Sequence, residues 1–80
     1  MNHTVLWNAI EKLAALNNLS CSALARNSRL DPTTFNRSKR FDKYGKPRWP
    51  STQSLVKALT ATGMTLSDFG RLLTEQDKEL

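Results

Sequence analysis

No helix can run through Asp31-Pro32, and that step constrains the fold of this chain more than any other feature. Pro32 lacks the N–H that a helix interior needs, its ring clashes with the carbonyl four residues back, and it pushes Asp31 out of helical geometry. Pro is nonetheless well suited to the first position of a helix, and Asp is a good N-cap. The run Asp31-Pro32-Thr33-Thr34-Phe35 therefore predicts a helix that starts there and cannot start earlier. Phe35 carries the burial of that helix, with Leu30 just before it, while Thr33, Asn36, Arg37 and Lys39 are expected to face outward. So few apolar groups cannot stabilise a helix alone, and its polar face needs another use.

On either side the apolar residues recur at three- and four-residue spacing, the period of a helix face. Leu6, Ile10, Leu13 and Ala14, flanked by Val5, Ala9 and Leu16, predict a first helix from Val5 to Leu16, capped by Thr4 and stopped at Asn17-Asn18. Ser20 precedes a short second helix, Cys21 to Arg26, with Leu24 and Ala25 inward. Phe41 to Pro50 contains Gly45, Pro47 and Pro50 and reads as a loop, anchored by the ring of Trp49. Ser51 caps a fourth helix to about Thr62, with Leu55, Val56, Ala58 and Leu59 inward and Gly63 at its C-terminal end. Thr65 and Asp68 form a capping box ahead of the stripe Leu66, Phe69, Leu72 and Leu73. The expectation is an all-α, five-helix domain over residues 1–74, with residues 75–80 as a polar tail; Thr74 to Leu80 should fray.

Eighty residues, 39% of them hydrophobic, suffice for one domain with a modest core. No apolar run approaches the ~20 residues of a membrane span, and the N-terminus lacks the pattern of a secretory signal. A soluble, cytoplasmic protein is expected. One cysteine, Cys21, cannot form an internal disulfide, and with the lone His3 it cannot make a four-ligand zinc site. No Ser–Lys, Ser–His or carboxylate pair lies on a scaffold suited to catalysis, so the expectation is no enzyme and no cofactor. Trp7 and Trp49 read as packing residues rather than base-stacking ones, and His3 has no evident role.

The net charge of +5 is concentrated mid-chain. Arg26, Arg29, Arg37, Lys39, Arg40, Lys43, Lys46 and Arg48 face only two carboxylates in that stretch, Asp31 and Asp42. On charge alone a solvated basic face, an anionic membrane surface and an acidic protein partner all fit. The motif narrows the choice. Two short helices joined by a tight turn, the second capped, polar and flanked by basic residues, is the helix-turn-helix arrangement, here from Cys21 to Arg40.

Leu24-Ala25-Arg26, then Leu30-Asp31-Pro32-Thr33-Thr34-Phe35-Asn36-Arg37-Ser38-Lys39-Arg40, then Pro47-Arg48-Trp49-Pro50-Ser51-Thr52, resembles the N-terminal domain of lambda-repressor-like (XRE-type) phage repressors. More narrowly, it is similar to repressors in which that domain precedes a self-cleaving serine–lysine peptidase domain, absent here. The resemblance implies a transcriptional regulator that binds a double-stranded DNA operator, with two copies on a palindromic site, while the short apolar stripe of the fifth helix predicts a free chain that is a monomer or weak dimer. It also implies base readout by Thr33, Asn36 and Arg37, whose side chains suit thymine methyl, adenine and guanine. Thr34, Lys39, Arg40, Lys43, Lys46 and Arg48 would contact the DNA backbone.

Two residues depart from the family pattern. Arg29 stands at the turn position where Gly, with its access to positive φ, is usual. Cys21 stands at the start of the second helix where Gln is common, and an inert thiol is favoured there over a redox sensor. The rival function is a protein-interaction module, antitoxin-like or an anti-regulator, that has the fold and no specific DNA binding. The end of the chain soon after the fifth helix reads as either a stand-alone short regulator or the DNA-binding part of a longer one.

Overall fold

The computed structural model describes residues 1–79. It contains four α-helices and one short 3-10 turn: α1 His3–Leu16, α2 Cys21–Asn27, the 3-10 turn Arg37–Lys39, α3 Thr52–Thr62 and α4 Leu66–Glu79. α1 packs along α4 and against α2, and α2 packs on α3. Among the described residues, no helix is long and apolar enough to cross a membrane.

The five-helix expectation is therefore corrected: the helix expected from Asp31 does not form. Asp31 does cap, but what it caps is a turn. Its Oδ1 accepts from the Thr33 N–H at 2.8 Å and from the Thr33 hydroxyl at 2.6 Å, and the Thr34 hydroxyl donates back to the Asp31 carbonyl at 2.7 Å. The backbone bonds that follow, Thr34 N–H to Asp31 O and Asn36 N–H to Thr33 O, span three residues rather than four. Asn36 then goes extended, with ψ 152°, before the 3-10 turn. Two adjacent β-branched residues and short polar side chains that bond their own backbone disfavour α-helix, and a single buried ring, Phe35, cannot override them.

Elsewhere the caps explain the boundaries. α1 begins earlier than expected because Asn2, not Thr4, is its cap, accepting from the Val5 N–H at 3.0 Å. Ser20 and Ser51 cap α2 and α3 as their sequence positions suggest, each at 3.0 Å. Thr65 and Asp68 exchange the two bonds of a capping box at the start of α4. α4 continues helically through the polar residues expected to fray, and the N-terminal ammonium lies 3.0 Å from Asp77 near its end.

Three of the helices end alike. In α1, α2 and α3 an N–H two or three residues past the end bonds the carbonyl five residues back: Leu19 to Ala14, Leu30 to Ala25, and Met64 to Leu59. That closure requires a left-handed residue, supplied by Asn18 at φ 57°, Arg29 at φ 59° and Gly63 at φ 68°. Asn and Gly tolerate this region; Arg does so at a cost. Arg29→Gly should consequently raise stability by about 0.5–1 kcal/mol, the relief of strain slightly exceeding the added freedom of the unfolded chain. A chemical-denaturation midpoint shifted downward would contradict it.

The core runs from Val5, Trp7, Ile10 and Leu13 through Leu24 and Phe35 to Leu59, Phe69 and Leu72. Leu30, Leu55 and Leu73 pack against it while half-buried. Val56 and Leu66, expected inside, are exposed. α3 turns Ala58 and Leu59 inward, which leaves Val56 on the outer face, and Leu66 sits in the first turn of α4 ahead of the buried stripe.

Candidate nucleic-acid interface

The basic segment is organised by a small hairpin, not by a helix. Asp42 Oδ1 accepts from the N–H groups of Tyr44 and Lys46 at 2.8 and 2.9 Å. The Gly45 N–H bonds the Asp42 carbonyl, with Gly45 at φ 80°, and the Asp42 N–H bonds the Lys46 carbonyl. Phe41 and Pro47 pair across the hairpin, and the Arg48 N–H closes its base on the Arg40 carbonyl at 2.8 Å. A turn closed by a left-handed glycine is a standard way to make a tight hairpin.

α1 holds that hairpin through residues whose roles the sequence did not disclose. Trp7, buried, donates its indole N–H to the Arg48 carbonyl at 2.9 Å. His3 Nε2 lies 2.7 Å from the Arg40 carbonyl and 2.9 Å from that of Arg48, so it serves as a donor to the base of the hairpin. Its ring packs on Phe41, centroids 4.9 Å apart, and edge-on to Trp49 at 5.5 Å. Trp49, expected to anchor the loop, is 57% exposed; the anchor is Trp7. Nothing local in the sequence marks His3, because its partners lie 37 and 45 residues away.

Arg40, expected on the DNA backbone, is engaged within the chain. Its side chain is only 11% exposed, paired with Glu11 at 2.5 Å and set over the face of Trp7 at 5.6 Å. That makes it a strut between α1 and the hairpin. Glu11 also reaches Arg37 at 3.2 Å, but Arg37 remains 80% exposed. Lys39, Lys43, Lys46 and Arg48 are exposed.

The three expected base readers do not share a helix face. Thr33 is exposed with its hydroxyl proton engaged by Asp31, which leaves its oxygen lone pairs and its methyl group for a partner. Asn36 is half-buried at the extended break, and Arg37 opens the 3-10 turn. Thr33 and Thr34 instead join Lys39, Arg48 and Trp49 around an open cleft of about 410 Å³ at the start of α3. Asp31 lines the same cleft, its carboxyl held below its usual range by the Thr33 hydroxyl and N–H.

Cys21 lies near this network without being activated by it. Burial, and then the charge of Glu11, push its thiol up against the smaller opposing effects of Arg40 and Arg37. A thiol shifted that way is less often thiolate at neutral pH, which is the condition of a structural cysteine.

No protein family, curated protein or solved structure matches the chain. The resemblance to phage-type repressors therefore rests on the residues quoted for it.

Proposed function

We propose that this chain binds double-stranded DNA as a transcriptional regulator in the cytoplasm, through the segment from Thr33 to Arg48. One observation carries the reading: Arg37, Lys39, Lys43, Lys46 and Arg48 are all exposed on one short segment pinned to α1, while the nearby carboxylates, Asp31 and Asp42, each accept local backbone N–H groups through one oxygen. A held array of cations with few competing anions is the electrostatic footprint of a phosphate-binding surface. Lys39 and Arg48, on the cleft that Thr33 and Thr34 also line, are the foremost phosphate contacts. Arg37, with Thr33 and Asn36 beside it, is the candidate base reader, and a homodimer on a palindromic operator is the expected assembly. No cofactor and no catalytic step enter this reading.

The absence of a regular helix at residues 31–40 favours one second reading, a module that binds an acidic protein with the same cations. Titration of random-sequence duplex at several salt concentrations separates the two. DNA binding predicts an affinity that falls steeply with salt, by about 0.9 in logarithmic slope for each phosphate neutralised. Salt-insensitive or undetectable binding would favour the protein partner.

Two single substitutions then divide readout from anchoring. Lys46→Ala should weaken binding to all sequences nearly equally and reduce the salt slope by about one. Arg37→Ala should cost about 1–3 kcal/mol on a selected operator and flatten the preference at one base pair. Equal, uniform losses for both would make Arg37 an anchor like Lys46.

A further inference from the structure

The hairpin that closes on Arg40 and Arg48 is built more firmly than a linker between helices requires. Its turn is tied by both backbone bonds and the Asp42 carboxylate, and its base is tied to α1 by Trp7 and His3. At the tip stands Tyr44, 76% exposed, with the Lys43 ammonium 5.1 Å from its ring. Lys46 follows two residues on, also exposed. Among the described residues Lys43 alone is set against this ring, which leaves most of its apolar surface at the end of a braced projection for a partner to cover.

We propose that the hairpin is a wing, making a second contact with duplex DNA apart from that of Thr33 to Arg37: Tyr44 packs its ring on a sugar or base edge, and Lys43 and Lys46 hold the phosphates on either side. The proposal rests on the DNA-binding reading above and adds a contact residue, Tyr44, to it. Charge complementarity selects the partner, since two ammonium groups flank the ring and Asp42, the nearest carboxylate in sequence, is turned into the backbone. An anionic bilayer fits less well. Surface binding to lipid needs a broad apolar face, and this tip offers one ring between lysines and a glycine. Rigidity has a direct consequence for affinity, because a pre-formed loop loses little freedom on binding.

The test uses the 80-residue chain and a random-sequence duplex, followed by fluorescence anisotropy across a salt series. Tyr44→Ala should weaken binding about ten-fold with the salt slope unchanged, the scale of one aromatic contact to a nucleotide. Tyr44→Phe should retain most of the affinity, because the ring and not the hydroxyl makes the contact. The double variant Lys43→Ala/Lys46→Ala should reduce the salt slope by about two. All three should melt like the parent, since the tip supports no packing. If the parent binds duplex and these variants match it in affinity and slope, the wing is wrong and DNA binding is confined to Arg37, Lys39 and Arg48. A parent that binds no duplex overturns both. Tyr44-dependent binding to phosphatidylserine-containing vesicles, with no effect of Tyr44→Ala on duplex, would assign the tip to a membrane and overturn the wing.

Discussion

Trp7→Ala should destabilise this domain by about 3–5 kcal/mol, the usual cost of truncating a buried aromatic. Small domains have only about 5–15 kcal/mol in total, so the variant is expected at the edge of folding. Trp7 does two things at once. It fills the core beside Ile10 and Leu13 on α1, and its indole N–H and ring face hold the Arg48 carbonyl and the Arg40 guanidinium. Trp7→Phe separates these roles, keeping most of the buried ring and deleting the N–H. Its cost should be about 1 kcal/mol, because the Arg48 carbonyl still has His3 as a donor. Amide exchange of the Arg48 N–H should nonetheless accelerate in Trp7→Phe, as the hairpin base loses one of its ties to α1. Chemical denaturation and hydrogen exchange measure both. A loss under about 1 kcal/mol for Trp7→Ala is incompatible with a core position.

Glu11→Ala should cost about 3 kcal/mol, the low end of the range for breaking a buried ion pair, because Glu11 is itself one-third exposed. The penalty falls on Arg40, left almost buried without its counter-ion and with an Nε that has no partner in either case. Glu11→Gln, which keeps an acceptor oxygen, should cost less. The same substitution carries a functional signature that a purely structural role would not. Glu11 lies 3.2 Å from Arg37 and in the proposed complex would compete with DNA for its charge. Glu11→Gln should therefore tighten binding to random duplex at low salt, an advantage that disappears at high salt and in an Arg37→Ala background. It should also lower the Cys21 thiol pKa, because the Glu11 charge raises it, and so speed Cys21 reaction with a thiol-specific disulfide near pH 8. Unchanged thiol reactivity together with unchanged DNA affinity would mean that Glu11 exerts no field on this surface.

The sequence by itself determined the helical class and several boundaries carried by a local chemical signal. Ser20, Ser51, the Thr65–Asp68 box and Gly63 each act within a few residues of themselves, so their effect is written in the order of the chain. The positive φ at Arg29 was expected from the resemblance, which places Arg29 at a turn position where Gly is usual. The location of the charge, between Arg26 and Arg48, was equally plain.

Only the tertiary structure decided where each of those charges sits. The sequence signal at Asp31-Pro32 marks a helix start, yet capping lowers the cost of starting a helix without supplying the packing that sustains one. With Phe35 alone buried, and Thr33 and Thr34 bonded back to Asp31, the segment became a turn. Arg40 differs from Lys39 by one position and is taken out of the solvent by Glu11 and Trp7 on α1. His3 changes from a residue without a role into a clamp because two carbonyls arrive from residues 40 and 48. Contacts between α1 and the hairpin span some 29 to 45 residues of chain, and no periodicity or cap encodes them.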